Sequence, residues 1–334
     1  MRGCRGERLR GLRPAPVGLS GPAGLRGPET PSDRLTSTRR RPVDGTRTPV
    51  HGTGSGPQVH HTPEDISTAV RALRATGRSI AFVPTMGALH AGHRELIRHA
   101  RRADDDPATV VSIFVNPLQF GAGEDLDRYP RPLEADLAAC RDEGVELVFL
   151  PGVADMYPEG ADTTVVPGPL GGQLEGAVRP GHFAGVLTVV AKLFHIVAPD
   201  LAYFGEKDYQ QLALITRMVR DLNFPLSVVP VPTVREPDGL ALSSRNVYLT
   251  PAERSRATTL FRALTAGAAA AADGPAAVLD AARAVLDRDG GLAVDYLELR
   301  GAALDVDPGP GPARLLVAAQ LGTTHLIDNI GLHL

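Results

Sequence analysis

The chain has 334 residues, 43% of them hydrophobic, a formal net charge of −3, and two cysteines, Cys4 and Cys140. That length holds one large domain and a smaller one, no apolar run approaches the ~18 residues of a membrane span, and the cysteines indicate neither a disulfide framework nor a cysteine metal site, which fits a cytoplasmic setting. Residues 1–60 hold eleven arginines against four acids, so the remainder carries −10 and lacks the general footprint of a nucleic-acid binder.

Residues 1–60 are rich in Arg, Gly and Pro without apolar periodicity and read as a disordered basic tail. The tail is Arg-rich and acid-poor like a transit peptide but has no apolar stretch of a secretory signal. Thr62-Pro63-Glu64-Asp65 then reads as an N-cap, a Pro at N1 and an acidic first turn, with Ile66, Val70 and Leu73 forming a stripe and Gly77 stopping the helix. Ser79 to Val83 is apolar and partly β-branched, a short buried strand closed by Pro84.

The stretch Phe82-Val83-Pro84-Thr85-Met86-Gly87-Ala88-Leu89-His90-Ala91-Gly92-His93 ends in two histidines at the start of a helix that carries Leu96, Ile97 and Ala100. Unpaired N–H groups at a helix start favour a phosphate, and His90 and His93, three apart, can point the same way and donate to phosphate oxygens. An H-x-x-H pair can also hold zinc, but no further ligand pattern accompanies it.

Thr109 to Val115 is a second buried strand, ending in Asn116-Pro117-Leu118-Gln119-Phe120; a helix over 133–143 and a strand over 145–150 follow. Strand and helix alternate, which indicates an α/β fold built on a doubly wound parallel sheet, with ligands beyond the carboxyl ends of its strands. Asn116 and Gln119 lie just past one such end and suit the hydroxyl and carboxylate groups of a small acid. Residues 151–182 read as a long Gly/Pro-rich loop with short strands, ending in Arg179-Pro180-Gly181-His182-Phe183, before an apolar helix over 183–197 and a strand over 201–204.

That strand leads into Gly205-Glu206-Lys207-Asp208-Tyr209-Gln210-Gln211. Only Lys192 and Lys207 are lysines, against 33 arginines, which points to a place where a compact charge is wanted. Lys207 can reach a phosphate and shares a helix face with Gln211, although a solvated charged first turn would look the same. A strand over 226–231 precedes Val234-Arg235-Glu236-Pro237-Asp238-Gly239-Leu240-Ala241-Leu242-Ser243-Ser244-Arg245-Asn246, a hairpin with a Pro-Asp-Gly turn that opens into hydroxyls and a guanidinium suited to polyphosphate. From Pro251 on, two Ala-rich helices (251–272 and 275–288) and strands at 294–299, 315–319 and 324–327 form a smaller α+β unit.

P-T-M-G-A-L-H-A-G-H resembles the HxGH signature of the nucleotidyltransferase superfamily. With F-V-N-P-L-Q-F, R-P-G-H-F, F-G-E-K-D-Y-Q-Q, L-S-S-R-N and the terminal L-I-D-N-I, residues 60–334 are similar to the pantothenate synthetase (pantoate–β-alanine ligase) family. The resemblance implies ATP-dependent condensation of (R)-pantoate with β-alanine through a pantoyl adenylate, releasing pyrophosphate and then AMP, with Mg2+ on the ATP phosphates. It implies a Rossmann-like catalytic domain over 61–233, a C-terminal lid over 234–334, and a homodimer.

By the same resemblance His93, His90, Lys207 and Arg245 are catalytic, with His93 the proton donor. Met86, Gly87, Ala88, Leu89, His90, Ala91, Gly92 and His93 would bind ATP, with Gly205, Glu206, Lys207, Asp208, Val234, Leu242, Ser243, Ser244 and Arg245. Gln119, Gln211 and Asn116 would bind pantoate or β-alanine. Leu242 stands where the family usually has Met, and Glu134-Ala135-Asp136 carries fewer adjacent acids than some relatives, which leaves the protein ligands of magnesium unknown. The tail has no family counterpart, which points to a native start further along the chain. Two other functions fit parts of the sequence: a nucleotidyltransferase of the same fold that stops at AMP transfer, and an RNA-binding protein using the tail.

Overall fold

The computed structural model describes residues 56–334, so the tail expected over 1–60 lies outside the described residues up to residue 55. The chain then runs β1 (Gln58–His60), α1 (Pro63–Ala75), β2 (Ile80–Thr85), α2 (Ala91–Arg101), β3 (Ala108–Ile113), α3 (Leu133–Asp142) and β4 (Leu147–Phe149). Two one-turn helices, α4 (Val153–Met156) and α5 (Glu175–Val178), precede α6 (His182–Val197), β5 (Leu201–Gly205), α7 (Tyr209–Asp221) and β6 (Ser227–Val231). Last come α8 (Pro251–Ala269), α9 (Pro275–Asp287), β7 (Ala293–Gly301), β8 (Pro312–Leu321) and β9 (Thr324–His333).

The first six strands form one parallel sheet in the order β1-β4-β3-β2-β5-β6. Successive residues of each strand point to opposite faces, so each strand feeds two cores. Phe82, Val110 and Phe149 pack with Phe183, Val190 and Phe194 of α6 on one face. Their neighbours Val83, Val111 and Val148 pack with Leu96 and Ile97 of α2 and Cys140 of α3 on the other. This is the doubly wound, Rossmann-like architecture that the alternating pattern implies. The caps agree as well: the Thr62 side chain accepts from the Asp65 N–H, and Gly77 adopts φ 87°.

Three local expectations are corrected. Gln58–His60 is a strand and not the end of the tail: it pairs residue by residue with Leu147–Phe149, and the Gln58 N–H donates to the Glu146 carbonyl at 2.9 Å. Main-chain bonding makes this edge, and three residues carry no periodicity to betray it. Pro84 does not close β2 but sits within it opposite Ser112. Pairing of β2 with β5 covers only Ala81 and Phe82, so a missing N–H costs no ladder bond on that side.

The 151–182 segment holds helical turns in place of short strands. The buried amide of Gln210 ties them down, donating to the Leu170 and Gln173 carbonyls at 2.8 Å each and accepting from the Glu175 N–H at 3.0 Å. Such a long-range tie has no signature in the loop's own residues.

Residues beyond β6 form an antiparallel sheet, β7-β8-β9, under α8 and α9. It has its own core, with Leu260 and Leu264 of α8, Val278 and Ala282 of α9, and Leu315 and Val317 of β8. The expected Pro-Asp-Gly turn is present, closed by Gly239 N–H to the Glu236 carbonyl at 2.8 Å, but its arms meet through the single bridge Arg235–Ala241.

The turn after β3 is positioned by one close approach. A Cβ added at Gly185 of α6 would lie 2.1 Å from the Leu118 carbonyl oxygen and 2.7 Å from the Gln119 nitrogen. Glycine lets α6 press against this turn. Gly185→Ala is therefore expected to destabilise the protein by about 1–3 kcal/mol, read as a lower denaturant midpoint in a chemical unfolding curve. An unchanged midpoint would mean that the turn yields freely.

Candidate active site

Strand order reverses at the centre of the parallel sheet. From β2 the chain builds outward through β3 and β4, and from β5 through β6. At such a point the connections part to opposite sides and leave a crevice beyond the carboxyl ends. The motifs of the resemblance other than the terminal one follow β2, β5 or their neighbours β3 and β6, or open α6.

The β2–α2 turn is held from outside. The carboxylate of Asp136, on α3 and 2% exposed, accepts the Ala88 and Leu89 N–H groups at 2.9 and 2.7 Å. Gly87 at φ 84° and Ala88 at φ 51° take the left-handed conformations that this tight turn needs, and a Cβ at Gly87 would come within 2.9 Å of an Asp136 oxygen. Burial raises the Asp136 pKa, and the two N–H groups oppose that rise. Each of its oxygens thus holds one backbone N–H of the turn. Among the described residues no three His, Cys, Asp or Glu side chains gather to hold an ion.

The turn delivers His90 as the N-cap of α2. Its Nδ1 accepts the Gly92 N–H at 3.1 Å, while Nδ1 of His93 accepts the His90 N–H at 3.3 Å. These partners assign the proton to Nε2 in both rings, leaving each with one outward donor. The rings lie 4.1 Å apart between centroids. Burial, then the charge of Lys207, lowers the His90 pKa to about 4; burial, then His90, lowers that of His93 to about 3. Part of each ring borders open cavity space, yet protein surrounds both closely enough for desolvation to dominate. Both imidazoles are neutral near pH 7, and each presents one Nε2–H donor.

Lys207 stands on a 3-10 turn, Glu206–Asp208, between β5 and α7, with its Nζ 3.5 Å from Asp208 Oδ1. Burial pushes the Asp208 pKa up, but Lys207 and Arg245 outweigh it and hold the carboxyl below its usual range. Ser243 caps the 3-10 turn Ser244–Tyr248 by accepting the Arg245 N–H at 3.3 Å, and Ser244 Oγ meets the Tyr129 hydroxyl at 3.3 Å. Arg245 donates through Nε and Nη2 to the two oxygens of Asp125, at 3.1 Å each. Arg179 donates likewise to Glu124, one residue earlier, with its Nε at 3.0 Å.

On the side of the turn after β3, the Gln119 carbonyl accepts from His182 Nδ1 at 2.8 Å, and Gln119 Nε2 lies 3.0 Å from the Met86 sulfur. Lys207, Asp208, Arg179, His182, Gln211, Ser243 and Arg245 border two adjoining cavities. One, of about 190 Å³, adds Met86, His90, Gly92, His93, Gln119, Gly205, Val234, Leu242 and Ser244. The other, of about 330 Å³, extends toward β9. Fourteen of the twenty expected site residues thus border one crevice, drawn from four separated stretches.

Gly87, Ala88, Leu89, Ala91, Glu206 and Asn116 have other places, Ala91 among them only as the exposed first residue of α2. Asn116, expected from its position to touch substrate, has a side chain that is 1% exposed and fully engaged by protein. Its amide donates to Gln119 Oε1 and the Gly185 carbonyl at 3.1 Å each, and its oxygen accepts from the Tyr157 hydroxyl at 2.8 Å and the Leu118 N–H at 3.3 Å. It orients Gln119. Glu206 turns away toward Arg314, at 3.5 Å. Sequence alone assigns nothing to Asp125 or Tyr129, raises Asp136 only in the open question of magnesium ligands, and gives nothing beyond a motif to Arg179 and His182, for which R-P-G-H-F is the available signal.

The family model for pantoate-beta-alanine ligase matches residues 58–331. A pantothenate synthetase of Mycobacterium sp. (strain KMS) is 64% identical over 272 residues, covering 81% of this chain and 87% of that protein, and one from Nocardia farcinica is 62% identical over 276 residues, covering 83% and 86%. Among solved structures, pantothenate synthetase from Thermus thermophilus superposes with a TM-score of 0.76 at 51% identity, covering 82% of this chain and 98% of that one. Pantoate-beta-alanine ligase from Francisella tularensis, complexed with beta-gamma ATP and beta-alanine, superposes with a TM-score of 0.69 at 33% identity, covering 82% and 97%.

The depressed imidazole pKa values set a pH dependence. Unfolded histidine takes a proton near pH 6.5, the folded rings only near 4 and 3. Between these limits the unfolded state binds more protons, so stability falls as pH drops from about 6.5 toward 4. His93→Gln, which keeps an acceptor for the His90 N–H and does not titrate, should flatten that fall in denaturant unfolding followed against pH. An equally steep fall in the variant would show that other groups set it.

Proposed function

The chain belongs to the pantoate-beta-alanine ligase family, and from that premise we propose that the crevice beyond β2 and β5 binds ATP and pantoate and carries out both half-reactions. It joins pantoate to β-alanine at the expense of ATP, giving pantothenate, AMP and pyrophosphate. A pantoate carboxylate oxygen attacks the α-phosphorus, the bond to the β-phosphate oxygen breaks, and pyrophosphate leaves. The β-alanine amine then attacks the acyl carbon of pantoyl adenylate, loses a proton and expels AMP. The observation that carries the site assignment is convergence: His90, His93, Lys207, Ser243 and Arg245, distant in sequence, line one cavity.

In this reading the Nε2–H groups of His90 and His93 donate to phosphate oxygens as charge develops in adenylation. His93, neutral before ATP binds, offers its Nε2–H to the phosphates as the proton donor of this reading. Lys207, Arg245 and the Ser243 and Ser244 hydroxyls take the remaining phosphate charge, with triphosphate competing against Asp125 for Arg245. Gln119 and Gln211 hold pantoate; Val234 and Leu242, joined by the Leu242 N–H to Val234 carbonyl bond of 3.0 Å, flank the nucleotide. Closure of the C-terminal unit from about residue 234 would keep water from the acyl adenylate. Magnesium would be carried on the ATP phosphates, where it would offset their charge. The family supports a homodimer and a cytoplasmic setting, which sedimentation and fractionation would test.

One cation–phosphate contact at ~4 Å and an effective dielectric of ~20 is worth about 4 kcal/mol before desolvation, so losing it should slow adenylation by roughly two to three orders of magnitude. Lys207→Arg should fail to restore the rate, because a planar fork replaces a compact charge. Near-normal pyrophosphate release by that variant would remove Lys207 from the assignment. In the wild type, pantoate and ATP should release pyrophosphate without β-alanine, up to about one equivalent of enzyme, and AMP should appear only when β-alanine is added. AMP transfer that β-alanine leaves unaffected would favour a nucleotidyltransferase.

A further inference from the structure

The terminal motif L-I-D-N-I lies in β9, on the second sheet, and has no part in the reaction as assigned. Yet its asparagine reaches the turn that bears Lys207. The side-chain amide of Asn329 donates to the Glu206 carbonyl at 2.9 Å and to the Lys207 carbonyl at 2.8 Å. Asn329 is 3% exposed, and its orientation is fixed on every side. Its Oδ1 accepts from Arg314 on β8 at 3.1 Å; a guanidinium can only donate, so the amide cannot be flipped. Its own N–H donates to Asp328 Oδ1 at 2.8 Å. Asp328 in turn takes a two-pronged bond from Arg235, at 2.6 and 2.9 Å, and Arg235 also donates to the Asn329 carbonyl at 3.1 Å. Arg314 completes the assembly by lying over the Tyr209 ring, 3.8 Å from its centroid.

A lysine side chain has four rotatable bonds, so where its charge rests depends on how firmly its backbone is held. The 3-10 turn has no side-chain cap, and two of its carbonyls accept from one amide on the C-terminal sheet. We propose that Asn329 is a positioning residue for Lys207, setting the height of the Glu206–Asp208 turn above the crevice and tying the ammonium to the seating of the C-terminal sheet. This rests on the assignment of Lys207 to the triphosphate. An asparagine that merely fastened the two sheets together would lower stability without acting through the lysine.

A double-mutant cycle separates these roles. Single-turnover pyrophosphate formation from pantoate and ATP, without β-alanine, is measured for wild type, Asn329→Ala, Lys207→Ala and the double variant, with thermal unfolding alongside. Asn329→Ala is expected to slow adenylation about 10- to 100-fold, the cost of a misplacement of about 1 Å, with the KM for β-alanine unchanged in the full reaction. In the Lys207→Ala background the same change should cost no more than about twofold. An equal loss in both backgrounds, or a loss that matches the unfolded fraction, overturns the positioning role. A slow Lys207→Ala enzyme beside a full-speed Asn329→Ala enzyme overturns it too, while leaving the assignment of Lys207 intact. A Lys207→Ala enzyme at wild-type rate overturns both. Should Asn329→Ala not fold, Arg314→Met, which leaves the amide in place but unfixed, replaces it with the same expected non-additivity.

Discussion

The parting of β2 and β5 is the constraint on which the rest of the structure depends. Their pairing spans only Ala81 opposite Leu201 and Phe82 opposite Ala202, after which the strands lead to different sides of the sheet. A gap between parallel strands is costly within a sheet but harmless at its carboxyl edge, where main-chain groups can serve a ligand. The histidine turn leaves from one lip of this gap and the lysine turn from the other. Their separation in sequence is therefore no obstacle to their meeting, since the topology itself brings them together.

What the crevice offers chemically follows from how each group is held. The imidazoles are kept neutral by burial and aimed by backbone N–H groups at Nδ1, so each presents a single donor. Each cation stands beside a carboxylate: Arg245 beside Asp125, Arg179 beside Glu124, Lys207 beside Asp208. Neutral donors and screened cations are suited to charge that appears late in a reaction, because neither attracts water strongly beforehand.

The supporting layer is as specific as the lining. Asp136 holds the Ala88–Leu89 backbone, Asn116 holds the Gln119 side chain, Gly185 lets α6 come near enough to support that turn, and Asn329 grips the carbonyls beneath Lys207. All but Asn116, which caps the turn that ends in Gln119, come from a different element from the group that they support. A ligand-facing side chain set by partners on α3, α6 and β9 is rigid in a way that its own loop could not make it.

The sequence by itself determined the α/β class, the positions of most helices and strands, and the chemical character of the site. These are local matters: Thr62 and Pro63 at a helix start, an apolar run through Val110 and Val111, a rare lysine after a glycine. Tertiary structure alone decided which of the polar residues near the strand ends face the cavity. Asn116 and Gln119 look alike in sequence, but Gly185, Tyr157 and the Leu118 N–H engage the first and leave the second at the crevice. It also decided the edge strand Gln58–His60, whose bonds come from β4, and the role of Asp136, whose partners lie 47 and 48 residues away. Hydrogen bonds between distant segments leave no periodic trace, because each depends on where the fold places the partner and not on what stands beside it in the chain.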